Sequence, residues 1–188
     1  MIPDKNLRLM WLDIETTGLD PTKDKILEIA SVPTAGKNRT APETHFAIAC
    51  DTPIGQWNRE ALDMHKKNGL ASLVHTRGIP LKLVEKSMIK YVKKTSLITG
   101  QKRPILAGLN IHFDRSFLKV HMPRLEAMFH YRMFDLTTIR LLYGAYEYPD
   151  RLTPKHRALS DVVDEVDEFS WYFWRVQPWW KRLFPWLI

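Results

Sequence analysis

The chain has 188 residues, 45% of them hydrophobic and 26% charged. That length supports one domain with a sizeable core, and the composition excludes a disordered chain. The formal net charge is +7, from 28 Lys and Arg against 21 Asp and Glu, which favours a polyanionic partner.

The longest apolar runs fall far short of a bilayer span, and MIPDKNLRL lacks the apolar stretch of a secretory signal. No membrane span is expected. The single cysteine, Cys50, excludes an internal disulfide and a cysteine-built zinc site, and fits a reducing, cytoplasmic setting. Charge is uneven along the chain. Residues 66–103 hold ten Lys and Arg against one acid, Glu85, whereas residues 161–168 hold five acids and no base. A basic surface beside an acidic cluster suits a polyanion plus a metal site. A solvated helix face explains any single lysine equally well.

Residues 7–15 are largely apolar and alternate, which predicts a central strand. TTGLDP then supplies turn residues, with Gly18 and Asp20-Pro21 as punctuation. ILEIASV, 26–32, predicts a second strand, and THFAIAC a third at 44–50. From 58 the period turns helical: NREALDMHKK is one helix. IPLKLVEKSMIKYVKKT, 79–95, is another, with Leu81, Val84, Met88 and Val92 as its apolar stripe. PILAG, 104–108, is a short buried strand. RSFLKVHMPRLEAMF is helical with a break at Pro123. HYRMFDL, 130–136, predicts a strand, TTIRLLYGAYE a helix and RLTPKH a loop. ALSDVVDEVDEFSWYFWRV, 158–176, is a long helix whose stripe is Val162, Val166, Phe169 and Phe173. Strands first, then strands alternating with helices, give an α/β domain with a mixed sheet.

Three places hold candidate chemistry. Asp13 and Glu15 are two apart, so on a strand they share a face about 7 Å apart along the chain. Carboxylates so placed suit Mg²⁺ or Mn²⁺; a strand end with both acids in solvent is the other reading. Asp114 follows the short strand and opens a helix, as a ligand or as an N-cap. His156 and Asp161 are five apart, which in one regular helix is roughly 140° of net rotation. To serve one site, His156 must lie on the loop before the helix, where it could act as a general base. Alternatively it is a surface histidine, and Asp161 a solvated acid in a first turn that welcomes negative charge.

D-x-E on a first strand, a mid-chain Asp at a strand-to-helix junction, and H-x4-D at the last helix come in that order. Together they resemble the exonuclease superfamily named for its four acids, in the subgroup with a histidine base. MWLDIETTGLDPTKDKILEIA, HKKNGL and FLKVHMPRLEAMFHYRMFDLTTIRLL are similar to the oligoribonuclease family, over residues 8 to about 175. The resemblance implies a ribonuclease-H-like mixed sheet flanked by helices, in one domain across 1–188 with an aromatic-rich extension at about 177–188. It implies two divalent cations, Mg²⁺ or Mn²⁺, held by Asp13, Glu15, Asp114 and Asp161, with His156 as the base. The implied activity is 3′→5′ hydrolysis of short RNA oligonucleotides to 5′-mononucleotides by a homodimer. The implied substrate contacts are Thr17, Leu19 as a wedge between bases, His65, Asn110 and Thr137. Tyr131 and Arg132, with Thr137, would reach across the dimer to a 5′ phosphate.

The chain also departs from that family. D-I-E-T-T-G stands for D-L-E-M-T-G, Asn110 for a serine, and Glu60 for a tryptophan five residues before His65, with Trp57 eight before. ETTGLD and NIHFD lean toward 3′→5′ DNA exonucleases of the proofreading type, so single-stranded DNA is the rival substrate. A non-catalytic nucleic-acid-binding protein is the rival of another class. Five of the seven tryptophans fall in 171–188. That segment could pack a dimer, stack bases or anchor at a membrane surface.

Overall fold

The computed structural model describes residues 8–35, 38–39, 46–99, 103–143 and 155–176. The sheet is built from β1 (Arg8–Thr16), β2 (Ile26–Ala35), β3 (Asn38–Arg39), β4 (Phe46–Ala49), β5 (Ile105–Gly108) and β6 (Met133–Asp135). The helices are α1 (Arg59–Lys67), α2 (Leu70–Arg77), α3 (Leu81–Thr99), α4 (Ile111–His121), α5 (Pro123–Glu126), α6 (Leu136–Tyr143) and α7 (Ala158–Val176). The strand order is β3-β2-β1-β5-β6, with β4 also paired to β2. β2 runs antiparallel to β1, β3 and β4, and β5 parallel to β1 and β6. This is the mixed sheet expected from the order of elements.

Alternation along β1 assigns its neighbours. Met10, Leu12 and Ile14 enter one apolar cluster with Val84, Met88 and Val92 of α3 and Phe117 and Leu118 of α4. Leu9 and Trp11 enter the opposite cluster with Leu136 of α6 and Val162, Val166 and Phe169 of α7. Trp11 is fully buried; its Nε1 donates to Thr34 Oγ1 at 3.1 Å and its ring meets Phe134 edge-on at 5.8 Å. Each such side chain contributes roughly 1.5–3 kcal/mol through burial. Continuing the alternation puts Asp13 and Glu15 on the α7 face, just past Trp11.

Three boundaries differ from expectation, and the break at Pro123 falls where it was expected. α2 was not expected: Gly69 (φ 81°) ends the first helical run, and Leu70, Ala71 and Val74 pack on Leu27 and Ala49. Tertiary burial stabilises a segment whose sequence period is weak. α4 starts at Ile111, earlier than expected, and Pro123 opens α5 as a separate turn. β6 is shorter than HYRMFDL, because Arg115 Nη1 donates to the His130 and Tyr131 carbonyls at 3.0 Å each, which takes them from the ladder. The strand expected at 44–50 is described as Phe46–Ala49, and the helix expected after 137 is described to Tyr143. Residues 177–188, and most of RLTPKH, lie outside the described residues.

Candidate metal and active centre

The site lies just past the carboxyl end of β5, beside the last residues of the longer parallel strand β1, where the chain order switches from β2 to β5 on either side of β1. Such switch points leave a crevice at the carboxyl ends of strands. Asp13 and Glu15 come from β1 and Asp161 from the first turn of α7. One oxygen from each of these three lies within 4.8 Å of the others.

Asp114 departs from one of its two sequence readings. It is not an N-cap: it is the fourth residue of α4, and Asn110 (φ 53°, ψ 36°) holds the position before the helix. Asn tolerates that left-handed geometry better than most residues. Asp114 is 2% exposed, and its Oδ1 accepts from the Ile14 N–H at 3.0 Å. The bond fixes it behind Asp13 and Glu15, in the gap between those two residues on β1.

The four carboxylates repel one another in a poorly hydrated place. Burial, and then Asp114, Glu165, Glu15 and Asp161, push the Asp13 carboxyl well above its ordinary range. Burial and the Asp161 charge raise Glu15 to about 8, and burial raises Asp114 to about 8. Without cations, such acids retain protons. The donor set is all hard carboxylate oxygen, which fits a divalent cation of the Mg²⁺ or Mn²⁺ class. The residues present therefore fit the cations that the motifs imply.

His156 stands on the loop before α7, exposed, with φ 50°. Its neighbours are tied down. Asp161 accepts from Lys155 N and Arg157 N, both at 3.1 Å, so it brackets the histidine. Asn68 Nδ2 donates to the His156 carbonyl at 2.6 Å. Arg157 grips Glu28 through Nε (3.2 Å) and Nη2 (3.0 Å), and Glu28 also accepts from Ala158 N at 3.0 Å. Glu28 is 3% exposed and sits opposite Glu15 on β2. A backbone clamped on three sides thus carries a free imidazole. Beside it opens a cleft of about 570 Å³, lined by Glu60, Asp63, Met64, Lys67, Asn68, Lys155 and His156.

The remaining candidates separate into groups. Leu19 is 82% exposed on the turn after β1. That turn is tight because Asp24 presses on Gly18, where a Cβ would lie 2.5 Å from the carboxylate. Thr17 is fully buried, and its hydroxyl donates to Asp24 Oδ1 and accepts from Lys25 N, so it holds the turn that presents Leu19. His65 is also fully buried: Nε2 is 3.3 Å from Thr16 O and 3.7 Å from Glu15 Oε2, and its ring meets Trp57 edge-on at 6.0 Å. Burial lowers its pKa, so it stays neutral behind Glu15. Trp57 thereby occupies space beside His65 despite its different sequence spacing.

Asn110 and Thr137 meet at the ends of β5 and β6. Thr137 Oγ1 donates to Asn110 Oδ1 at 3.0 Å and accepts from Asn110 N at 3.1 Å. Tyr131 and Arg132 precede β6, at the other end of that strand. Four residues of extended chain span about 13 Å, so these two do not join the acidic centre of their own chain. Arg132 lies over the Tyr131 ring, 5.3 Å from its centroid, and Tyr131 is 70% exposed.

Sequence reasoning missed Glu28, Asn68, Arg157 and Glu165. Glu28 had a signal, an acid inside the apolar run ILEIASV. Glu165 had one too, four residues after Asp161 and so on the same helix face.

Comparison with known proteins places this geometry. The model of the exonuclease family matches residues 10–169. The oligoribonuclease of Dichelobacter nodosus is 35% identical over 181 residues, covering 92% of this chain and 97% of that protein. The oligoribonuclease of Thiobacillus denitrificans is 34% identical, covering 87% and 92%. A probable oligoribonuclease of Schizosaccharomyces pombe is 31% identical, and the chain spans 66% of its length. Among solved structures, the zinc-bound E. coli ExoI–ssDNA complex superposes with a TM-score of 0.65 at 15% identity, covering 95% of this chain and 43% of that one. An exonuclease I from Methylocaldum szegediense gives 0.65 at 18%, covering 91% and 41%. Those likenesses confirm the ribonuclease-H-like fold. A sheet ending in buried carboxylates, under that family match, defines a phosphodiester-cleaving enzyme of the exonuclease class. Within that class, the chain belongs to the exonuclease family on its oligoribonuclease branch.

Proposed function

We propose that the chain is a metal-dependent 3′→5′ exoribonuclease that shortens short RNA oligonucleotides to 5′-mononucleotides. It works as one exonuclease domain per chain, in a cytoplasmic homodimer, with two Mg²⁺ or Mn²⁺ ions. The observation that carries this reading is the convergence of Asp13, Glu15 and Asp161 within 4.8 Å, with an exposed His156 on a clamped loop beside them.

Asp13, Glu15, Asp114 and Asp161 hold the cations, which when bound neutralise the scissile phosphate and the leaving 3′ oxygen. His156 takes the proton of the attacking water at its imidazole. Asp161 has two tasks, since it also holds the backbone on both sides of His156. His65 buttresses Glu15 from behind, and Leu19 stands where a terminal base would meet it. The basic stretch 66–103 draws in the polyanion. Asn110 and Thr137 act as one hydrogen-bonded unit at the mouth of the site.

Dimerisation is supported by apolar side chains left in solvent. Leu141 is 81% and Leu142 71% exposed on α6, and Tyr131 is 70% and Met133 41% exposed at the β6 edge of the sheet. A second copy over that face brings Tyr131 and Arg132 toward the partner's site, where Arg132 caps a 5′ phosphate. Among the described residues no helix is long and apolar enough to cross a membrane.

The test is a time course on a 5′-labelled RNA dinucleotide, a seven-mer and an equal-length ssDNA, each with Mn²⁺ and with EDTA. Fast, EDTA-sensitive cleavage of the short RNA is expected. Equal or better cleavage of ssDNA would move the assignment to a DNA exonuclease, the reading that Asn110 in NIHFD favours.

A further inference from the structure

Glu165 is a buried acid near the centre that the mechanism above leaves unused. It lies one turn after Asp161 on α7, so both project from the same face. Its side chain is 7% exposed, and its Oε2 has no hydrogen-bond partner. The backbone N–H of Leu109 favours the charged form of Glu165.

The position of that unpartnered oxygen is set by Gly108 at the end of β5. A methyl group on Gly108 would sit 2.9 Å from Leu12 O and 3.5 Å from Glu165 Oε2. The oxygen therefore comes to the seam of β1 and β5, one residue before Asp13. The charge of Glu165 acts on Asp13, and those of Asp114 and Asp161 act on Glu165. Arg140 also acts on Glu165, but its Nε and Nη2 both go to Glu168. A buried carboxylate oxygen with no donor is costly. It persists where something else offsets the charge, and the group that the centre is built for is a cation.

We propose that Glu165 is a fifth carboxylate of the cation centre, placed behind the ligands at the β1–β5 seam, and that it tightens divalent-cation binding. It is a positioning residue and not a ligand of the Asp13–Glu15–Asp161 cluster, which it does not join. The inference rests on the metal-dependent reading above. A negative charge just outside the ligands strengthens the hold on a cation and orients the groups that coordinate it. With no cation present, nothing offsets the buried acid, which keeps its proton and works against the fold.

Those two effects have opposite signs, which makes the role testable. Glu165→Gln keeps the shape and an acceptor for Leu109 N–H while removing the charge. Mn²⁺ affinity is measured by calorimetry on the full chain, together with thermal unfolding in EDTA and in Mn²⁺. The expected result is weaker Mn²⁺ binding, on the order of tenfold or more, with a metal-free Tm at or above wild type. Glu165→Asp, which keeps the charge, should retain most of the affinity. Unchanged Mn²⁺ affinity in Glu165→Gln would overturn the proposal, as would equal losses in Gln and Asp with a lowered metal-free Tm, which mark a packing role. If wild type itself binds no Mn²⁺, it is the metal-dependent reading that fails.

Discussion

The two faces of β1 follow one alternation and reach opposite ends. On one face Met10, Leu12 and Ile14 are 1%, 1% and 6% exposed and stay apolar to the strand end. On the other, Leu9 and Trp11 are packed in the same manner, and then the side chains become Asp13 and Glu15. The difference lies in what covers each face. α3 and α4 bring Val84, Met88 and Phe117 against the first face. α7 covers the second with Val162 and Phe169 and carries Asp161 in its first turn, and the loop before it holds His156. Chemistry sits where the first turn of a covering helix brings a carboxylate to the end of β1, Asp161 from α7 and Asp114 from α4.

The contrast breaks most sharply at the ligands and the base. Asp13→Ala or His156→Ala should lower turnover by about 10²–10⁴-fold with the fold intact by circular dichroism. Near-full turnover in both would remove the assignment of this face. On the opposite face, Leu12→Ala should cost about 2–5 kcal/mol in denaturant unfolding and leave turnover per folded molecule close to wild type.

The third prediction uses pH. Glu15 and Asp114 each hold a carboxyl raised to about 8 in the folded, metal-free protein. Between their ordinary values and about 8, the folded state binds protons that the unfolded chain has released. Stability is then highest at low pH in that window and is lost as pH rises through about 8. Thermal unfolding in EDTA at pH 6 and pH 8.5 should show the fall, and Mn²⁺ should flatten it. A metal-free protein that grows more stable from pH 6 to 8.5 would contradict the packing of these acids.

Smaller effects sharpen the picture of how His156 is held. Glu28→Gln loosens the grip of Arg157, whose side chain is 36% exposed and so stays hydrated. A loss of about 1–2 kcal/mol is expected, with kcat reduced more than KM. Leu19→Ala should change stability by less than about 0.5 kcal/mol and raise KM for a short RNA. An unchanged KM would take Leu19 out of the substrate cleft.

Much of the centre was legible in the sequence because its spacing is geometric. Two acids at i and i+2 in a strand must share a face, and a separation of five positions between His156 and Asp161 required the histidine to leave the helix if both serve one site. α7 and its stripe followed from period alone. Other features were not legible. His65 matched the family's pattern of a base-contacting residue, yet its ring is buried behind Glu15. Thr17 carried the same kind of match, and its hydroxyl belongs to the turn. α2 has a weak period and exists because Leu27 and Ala49 offer it a surface.

The sequence by itself determined which side chains could form a cation centre, the order of strands and helices, and the face on which Asp13 and Glu15 project. Those follow from residue type and from the fixed periods of strand and helix. Only the tertiary structure decided that Asp114 enters through a hydrogen bond to Ile14 N–H, that Glu28 and Asn68 clamp the His156 loop, and that Glu165 reaches the β1–β5 seam. Each of these joins residues far apart in the chain, and only packing of α4 and α7 against the sheet sets their distances.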